Sequence, residues 1–493
     1  MSKGVKFLFD LHKIAGTAIA LFFLMWFCTG LILIYHPYPR LSGELFNQNK
    51  QPLPSSLPSA AELQRRAGGE IRRLSVQQVQ GHTVFSVTAG ERTFRMNADS
   101  AQAVPQVTFA SIRATALQWV DAPLLRVDTL HRRQQWVLYT RYDAELPLYK
   151  FSFGDPQRTQ LFISGRSGEV QQLTTRSQRF WACIGAIPHK FYIPALRRDV
   201  KLWQNTIAAV STVCLIAALS GWILGLYLWV RRYRRKRVWE NPYKKRWYRW
   251  HFSFGLVFGI FLTGWAVSGI FSMQRIPQWL VRTEGEYVFS ASRLWGRQNP
   301  PLEAYRLDYR TLKETFPDLK EVEWTHFGSL PAYRIIEGSA ERYIDASAPE
   351  VRPLEIPREI IEQGLKKIHG EDTPIEVSLL QEYDNYYTRR REDGLPAWKI
   401  SVADSDRSLY YINPRTGYIR FLNKNKVVHK WLFNGIHYLD IDWLMARKTL
   451  WTGCIWILCA GCGIVCLSGV VLGVRVLRRS AKRKPARRPE KKN

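Results

Sequence analysis

Motifs of several common enzyme classes are missing from this sequence. No GxGxxG follows a predicted strand and no P-loop occurs, so the sequence contains no recognisable dinucleotide-binding or nucleotide-binding motif. HExxH and a GxSxG elbow are also missing, which argues against a zinc protease and an α/β-hydrolase. No CxxCH occurs, which excludes covalent attachment of a c-type haem.

Cysteine is scarce outside the apolar segments of the chain. Of the seven cysteines only Cys183 lies in a long polar region, so no intramolecular disulfide framework is available there. The other six fall in apolar segments: Cys28, Cys214, Cys454, Cys459, Cys462 and Cys466. The CAGC stretch at 459–462 has CxxC spacing. Because it lies inside an apolar helix, we interpret its small residues as serving close helix packing and not as a redox or metal site.

Acidic residues are few relative to basic ones: 41 Asp and Glu against 71 Lys and Arg give a formal net charge of +30. In a soluble protein this surplus would suggest a nucleic-acid partner. Here basic runs follow apolar segments, so we expect contact with the lipid bilayer and no nucleic-acid binding. The runs are RRYRRKR (231–237), KKRWYR (244–249) and RRSAKRKPARRPEKK (478–492).

Four apolar segments are long enough to cross the roughly 30 Å hydrocarbon core of a bilayer. They run from Ile14 to Tyr35, Ile207 to Val230, Phe252 to Ser272 and Leu450 to Leu477. The first is longer than the apolar part of a signal peptide and lacks a small-residue cleavage site, so we predict an uncleaved helix. Basic residues at span ends mark the cytoplasmic side, so we predict that both termini lie in the cytoplasm. The two long polar regions then lie on the opposite side, which is the periplasm if the membrane is a bacterial inner membrane.

The two halves of the chain resemble each other, which predicts an internal duplication. With an offset of 239 residues, His12, Gly16, Trp26 and Gly30 fall on His251, Gly255, Trp265 and Gly269. With an offset of 249, residues 146–173 fall on 395–422, and each stretch has the alternation and turn of a β-hairpin. IPHKFYIPALRRDVKLW (187–203) aligns with IHYLDIDWLMARKTLW (436–451), and SGWILG (220–225) with SGVVLG (468–473). Parallel repeats of this kind bring equivalent residues face to face.

Two pairs of histidines coincide in this alignment, and we name them pair I (His12 and His251) and pair II (His189 and His437). His36 falls on Arg275, and the others have no histidine partner: His82, His131, His326, His369 and His429. Ionisable groups at membrane depth are costly and tend to be functional. We expect pair I to meet near the cytoplasmic face and pair II near the periplasmic face.

Prolines near His189 indicate which kind of helix carries pair II. Pro188 and Pro194 interrupt the approach to the second apolar segment, so we expect this pair to lie on short interfacial helices.

Two neutral imidazoles approaching from opposite helices can ligate a haem iron axially, as in b-type cytochromes. Gly16 and Gly255, one turn beyond the histidines of pair I, would leave room for the flat macrocycle, although such glycines also serve helix packing. Zinc would require more ligands than two histidines provide. Proton relay by the histidines stays open as an alternative. With haem at both levels, the chain would move electrons across the bilayer.

These elements resemble the PepSY-associated transmembrane family, which includes bacterial inner-membrane ferric-siderophore reductases. The matching stretches are LHKIAG with CTGLILIYHPYP, GAIPHKFYIPALRRDVKLW, WYRWHFSFGLVFGIFLTGWAVSGIFSM and WLFNGIHYLDIDWL. LPAWKISVADSDRSLYYINPRTG contains a turn, Asn413 to Gly417, that resembles the family's turn, whereas SGRSG (164–168) departs from it.

The resemblance implies a helical membrane protein with four transmembrane helices and two periplasmic α+β PepSY-like modules, arranged as two tandem repeats in parallel orientation. It implies two haem b groups, held by His12 and His251 on the cytoplasmic side and by His189 and His437 on the periplasmic side, with His36 and His429 as substitutes in pair II. The implied activity is reduction of a ferric siderophore or other ferric chelate. Since the cytoplasmic parts are too short for a flavin or nicotinamide domain, the electron donor would be quinol or a cytoplasmic reductase.

The predicted organisation along the chain is a first helix at 1–36, a module at 37–180, an interfacial helix and second span at 181–230, a basic loop at 231–250, a third span at 251–272, a PepSY-like module at 273–428, an interfacial helix and fourth span at 429–477, and a basic tail at 478–493.

Two other functions stay open, namely a siderophore permease and a PepSY-type binding or sensor protein without redox activity. Aromatic and basic residues of the polar regions could contact a chelate or belong to sheets and solvated loops. They are Arg132, Arg133, Trp136, Tyr139 and Arg141 in the first region, and Tyr383, Tyr386, Tyr387 and Arg389 to Arg391 in the second.

Overall fold

The structure of the chain is a computed structural model that describes residues 2–98, 106–389 and 394–482. Its α-helices are α1 Lys3–Tyr35, α2 Gly43–Gln48, α3 Ala60–Ala67, α4 Phe109–Trp119, α5 Arg176–Ile184, α6 Ala186–Lys190, α7 Pro194–Arg197, α8 Val200–Lys236, α9 Arg246–Phe271, α10 Ser292–Trp295, α11 Leu312–Thr315, α12 Arg358–His369, α13 Lys424–Lys430, α14 Ile436–Tyr438, α15 Asp442–Met445 and α16 Lys448–Lys482.

The β-strands are β1 Ile71–Val79, β2 His82–Ala89, β3 Arg92–Asn97, β4 Leu124–Leu130, β5 Leu148–Phe153, β6 Gln160–Ser164, β7 Val170–Thr174, β8 Leu319–Phe327, β9 Leu330–Glu337, β10 Ala340–Asp345, β11 Arg352–Pro353, β12 Ile375–Leu380, β13 Ala397–Val402, β14 Leu409–Ile412 and β15 Ile419–Leu422. Short 3₁₀ turns occur at Thr140–Glu145, Leu302–Ala304 and Tyr309–Thr311, and a π-helical turn at Trp431–Gly435.

The chain divides into two compact units. Segments 1–38, 178–277 and 428–493 form one of them, which we call the helical unit. Segments 39–177 and 278–427 form the other, which we call the sheet unit. Each unit therefore takes residues from both halves of the chain.

The helical unit contains α1, α8, α9 and α16, and among the described residues these four helices are long and apolar enough to cross a membrane. Each begins or ends several residues beyond its predicted apolar segment. A hydropathy pattern detects only the apolar stretch, whereas the backbone hydrogen bonds of a helix continue through polar flanks such as the basic end of α8. The sequence therefore identified the four helices but underestimated their length.

The four long helices pack around small and aromatic side chains. Phe23 of α1, Ala217 of α8, Ala266 of α9 and Cys462 of α16 belong to one buried cluster. Small residues let helix backbones approach closely, which is the usual basis of packing between apolar helices. The Cys462 thiol contacts the Phe258 carbonyl oxygen at 3.7 Å within this core, an arrangement that suits the packing interpretation of the CAGC stretch.

The sheet unit contains a seven-stranded antiparallel sheet of order β11-β10-β9-β8-β1-β2-β3 and two four-stranded sheets of order β4-β5-β6-β7 and β12-β13-β14-β15. The two regions predicted as hairpins, 146–173 and 395–422, are antiparallel with the strands in chain order. Strands β1, β2 and β3 have 9, 8 and 6 residues, and β8, β9 and β10 have the same lengths in the same order.

The seven-stranded sheet takes strands from both of the predicted modules. Its centre is the pairing of β1 with β8, in which Val76 lies opposite Val322. Both side chains are buried in the core of the unit together with Phe85 and Tyr333. Joining the two halves pairs two strand edges that would otherwise be exposed, which explains why the polar regions form one unit.

Candidate functional site

The structure brings the two histidines of pair I together. His12 lies in the third turn of α1 and His251 in the second turn of α9, and their ring centres are 6.0 Å apart with an angle of 34° between the ring planes. The two residues are 239 positions apart in sequence and belong to different halves of the chain. Their meeting agrees with the expectation that equivalent residues face each other.

Pair II is also brought together. His189 lies on α6 and His437 on α14, with ring centres 6.1 Å apart and ring planes at 71°. Both helices are short, as expected from the prolines near His189. The predicted site residues therefore form two pairs, each with one member from each half.

The turns that follow the pair II histidines have matching geometry. Phe191, with φ 49° and ψ 46°, ends α6, and Leu439, with φ 51° and ψ 43°, ends α14. This left-handed conformation costs a residue other than glycine roughly 1 kcal/mol or more, so surrounding contacts must hold it.

Two tryptophans provide such contacts. Trp203 Nε1 donates to the Lys190 carbonyl oxygen at 2.8 Å, and Trp451 Nε1 donates to the Tyr438 carbonyl oxygen at 2.7 Å. Each indole bonds the residue directly after a pair II histidine. The first turns of α8 and α16 thus fix the backbone that carries His189 and His437.

In pair I, main-chain carbonyl oxygens hold the Nδ1 atoms. His12 Nδ1 lies 2.9 Å from the Ala217 oxygen, and His251 Nδ1 lies 3.2 Å from the Val465 oxygen. His251 Nδ1 also lies 3.1 Å from Ser468 Oγ, whose own proton goes to the Val465 oxygen. A carbonyl oxygen only accepts, so Nδ1 carries the proton and Nε2 keeps its lone pair in both rings.

In pair II, hydroxyl groups complete the same arrangement. His189 Nδ1 lies 3.1 Å from Thr29 Oγ1 and 3.2 Å from the Trp26 carbonyl oxygen. The Thr29 hydroxyl donates to the Met25 carbonyl oxygen at 2.7 Å, so it accepts from the histidine. His189 therefore also carries its proton on Nδ1.

His437 follows the same logic on α9. Its Nδ1 lies 2.9 Å from Ser268 Oγ, and that hydroxyl donates to the Trp265 carbonyl oxygen at 2.8 Å. The serine hydroxyl must then accept the Nδ1 proton. All four rings thus share one tautomer, which is the tautomer of a metal-ligating histidine whose other nitrogen is held by an oxygen.

The distance within each pair fits an iron between the rings. A metal–imidazole bond is about 2 Å long, and two such bonds plus the radius of each ring separate two ring centres by roughly 6 Å. The measured 6.0 Å and 6.1 Å match this value. Among the described residues no group of three or more His, Cys, Asp and Glu side chains is placed to hold a metal ion. Two histidines per level suit axial ligation of haem better than a four-ligand zinc site.

A cavity of about 410 Å³ lies beside pair I. Each long helix contributes glycine to its lining, including Gly16, Gly221, Gly255 and Gly469. A Cβ atom at Gly221 would lie 2.6 Å from His12 Nδ1, so the ring occupies the space that a side chain would fill. Apolar walls, flat glycine surfaces and the basic Lys13 and Arg479 in the same lining suit a flat apolar macrocycle with two carboxylates.

The two substitute histidines lie elsewhere in the helical unit. The His36 ring stacks on Trp181 with ring centres 4.1 Å apart and planes at 5°. His429 Nε2 lies 2.9 Å from the Phe271 carbonyl oxygen and is therefore occupied as a donor. Both residues therefore have structural partners of their own.

Most of the aromatic and basic residues proposed for chelate contact have structural roles in the sheet unit. Tyr387 is fully buried and donates to the Gly394 carbonyl oxygen, while Tyr383 and Tyr386 pack on the same cluster. In the first region Trp136 and Tyr139 pack against a buried cluster.

The basic members are similarly engaged. Arg133 forms an ion pair with Asp143 at 2.9 Å, and Arg141 lies over the Tyr142 ring. Arg132 is exposed and Arg389 lies over the Tyr383 ring. Arg390 and Arg391 lie outside the described residues.

Sequence reasoning missed the groups that hold the histidine rings. Three of them, at Trp26, Ala217 and Val465, are main-chain carbonyl oxygens, which carry no side-chain signal. The hydroxyls of Thr29 and Ser268 could have been found, because both follow a matched tryptophan by three positions and coincide at the same offset of 239.

A search of protein-family models finds no match to the chain, and a search of curated proteins finds no match either.

Proposed function

We propose that this chain is a b-type dihaem reductase of a bacterial inner membrane, which passes electrons across the membrane to a ferric siderophore or another ferric chelate in the periplasm. The observation that carries the proposal is the geometry of the two histidine pairs. Each pair has ring centres about 6 Å apart, and every ring is held through Nδ1, which leaves Nε2 available to bind a metal.

The proposed roles of the residues follow from their positions. His12 and His251 would hold one haem, and His189 and His437 would hold the other. Haem, when bound, supplies one-electron chemistry with a potential set by its axial ligands and their hydrogen bonds. The chain's own contribution would be to leave the four Nε2 atoms unprotonated and to hold the two rings of each pair about 6 Å apart, so that each pair could bind one haem. Rigid helices and main-chain acceptors suit this task because ligand geometry then changes little on electron transfer.

The membrane assignment is supported by length, composition and charge. Four helices are long and apolar enough to span a bilayer, and basic residues concentrate at the ends of α8 and α16. We propose that these ends and both termini lie in the cytoplasm and that the sheet unit is exported. Matching helices, strands and histidines in the two halves support two tandem repeats in parallel orientation.

The acceptor and the donor are proposed from the family resemblance and from the chain's composition. Reduction of a ferric chelate weakens iron binding and so aids release of the metal for uptake. The sequence has no recognisable nucleotide-binding motif, which supports membrane quinol or a cytoplasmic reductase as the electron donor. The PepSY-associated resemblance supports a ferric siderophore as the acceptor.

An anaerobic reoxidation experiment tests the proposal. The purified full-length protein is reduced, freed of excess dithionite and mixed with a ferric hydroxamate or a ferric catecholate, with a ferrous-iron indicator present. We expect reoxidation of the b-type spectrum together with stoichiometric appearance of ferrous iron. His189→Ala should lose this activity and His36→Ala should keep it, because the His36 ring stacks on Trp181. A protein that stays reduced with both chelates would contradict the assigned acceptor, and a haem-free protein that transports a chelate would instead indicate a permease.

A further inference from the structure

The two histidine pairs differ in the angle between their ring planes. The planes of pair I are 34° apart, and those of pair II are 71° apart. In low-spin ferric haem, nearly parallel imidazole planes separate the iron d orbitals and give a rhombic electron paramagnetic resonance (EPR) signal. Nearly perpendicular planes leave two of these orbitals close in energy and give a highly anisotropic signal with one large g value. Axial ligands and their hydrogen bonds are the levers by which a protein sets haem electronics.

The groups that hold the rings also differ between the pairs. In pair I each ring reaches a main-chain oxygen of a continuous helix, that of Ala217 or Val465, and His251 also reaches the Ser468 hydroxyl. In pair II each ring reaches a hydroxyl, that of Thr29 or Ser268, and His189 also reaches the Trp26 carbonyl oxygen. Each hydroxyl is itself fixed, since its proton goes to a main-chain oxygen of its own helix. The acceptor lone pair therefore has a defined direction, and the imidazole plane must turn to meet it.

Packing against the pair II rings is unequal, which explains the larger angle. The His189 ring lies against the backbone of α1, where a Cβ atom at Gly30 would be 3.2 Å from His189 Cε1. The corresponding glycine of α9, Gly269, has Ser211 against it instead. The His437 ring packs on Phe433 of the π-helical turn, with ring centres 5.4 Å apart. The orientation of the His189 ring is thus set by a glycine surface, and the orientation of the His437 ring by an aromatic side chain.

We propose that Thr29 and Ser268 are positioning residues that hold the pair II imidazoles in nearly perpendicular planes, so that the two haem sites are electronically distinct. This inference rests on the proposed function, because it describes residues that act on bound haem. Neither hydroxyl would touch the iron. Each acts through the histidine whose Nδ1–H it accepts as a hydrogen bond. Perpendicular imidazole planes also raise the reduction potential of a bis-imidazole haem relative to parallel planes. The pair II site is accordingly the one at the more positive potential, which favours electron flow from pair I to pair II.

EPR spectroscopy of the oxidised full-length protein tests this assignment. We expect one rhombic and one highly anisotropic low-spin signal, and His12→Ala should retain only the anisotropic one. Thr29→Val and Ser268→Ala, made separately, remove the hydroxyl acceptor without adding bulk, and His189 keeps its bond to the Trp26 carbonyl oxygen in the first variant. Each should change the anisotropic signal and leave the rhombic signal unchanged. Thr263→Val is the matched control, because its hydroxyl donates to the Gly259 carbonyl oxygen of the same helix.

A redox titration supplies the second readout. The haem that remains in His12→Ala should have a more positive potential than the haem that remains in His189→Ala. Two rhombic signals, an anisotropic signal unchanged in both hydroxyl variants, or the opposite order of potentials would overturn this inference and leave the dihaem proposal intact. A wild-type protein without haem would overturn both.

Discussion

Replacing Gly221 by alanine should weaken haem binding at pair I by about 100-fold while leaving the fold intact. A Cβ atom at this position would lie 2.6 Å from His12 Nδ1, a distance at which one of the two groups must move. Gly221 is part of the continuous helix α8, so the His12 ring must move instead. The ring would then lose its hydrogen bond to the Ala217 carbonyl oxygen, now 2.9 Å long.

The expected magnitude follows from these contacts. Loss of an outer hydrogen bond to a metal ligand commonly lowers affinity by about 10–100-fold, which corresponds to about 1.4–2.8 kcal/mol. The His12 ring is also displaced from the position in which it would bind haem, so we expect the affinity to fall by the upper value of this range. Alanine meanwhile favours a helix over glycine by up to about 1 kcal/mol. Haem loss from this variant would therefore not result from a weakened helix.

The assay is haem content per chain, together with the rate of haem transfer to excess apomyoglobin. We expect Gly221→Ala to lose the pair I haem and keep the pair II haem. Gly463→Ala on α16 is the matched control, because a Cβ atom there would meet no atom within 4 Å. A Gly221→Ala protein that holds both haems with unchanged transfer rates would refute the proposed position of His12 as a ligand.

Three further predictions concern other parts of the chain. Trp451→Phe removes the hydrogen bond to the Tyr438 carbonyl oxygen, so pair II haem should transfer to apomyoglobin several-fold faster with pair I unchanged; equal rates at both sites would contradict this. Arg334→Gln leaves three glutamates without their shared partner, so it should lower the free energy of unfolding of the sheet unit by about 2 kcal/mol in chemical denaturation. The control Arg310→Gln, at an exposed ion pair, should change this free energy by less than about 0.5 kcal/mol. Burial raises the pKa of Asp384, but hydrogen bonds from the Tyr387 amide and other donors outweigh it and hold that pKa below its ordinary value. The stability from Asp384 is therefore present above the ordinary pKa and lost as pH falls through the lowered one; Asp384→Asn should remove this acid-dependent loss in a pH titration of unfolding.

The helices and the meeting of the histidines were accessible from the sequence. Apolar length identifies α1, α8, α9 and α16, and the coincidence of His12 with His251 at one offset predicts that they face each other. Both inferences rely on regular features, namely hydropathy and internal similarity, that do not depend on side-chain detail.

Other features depend on contacts that no local pattern encodes. The pairing of β1 with β8 joins residues about 250 positions apart, and no hydropathy pattern of either strand indicates its partner. The main-chain oxygens of Ala217 and Val465 have no side-chain signature. The left-handed turns at Phe191 and Leu439 fall on residue types that do not favour them, so only the tertiary contacts around them explain the conformation.

The most direct test of the central claim is a pyridine haemochrome assay, quantified per polypeptide, on the purified wild-type chain and three histidine variants. Two haem b groups are expected in the wild type and in His36→Ala, and about one in each of His12→Ala and His189→Ala. A wild-type protein without haem, or variants of pair I and pair II that keep both haems, would contradict the account.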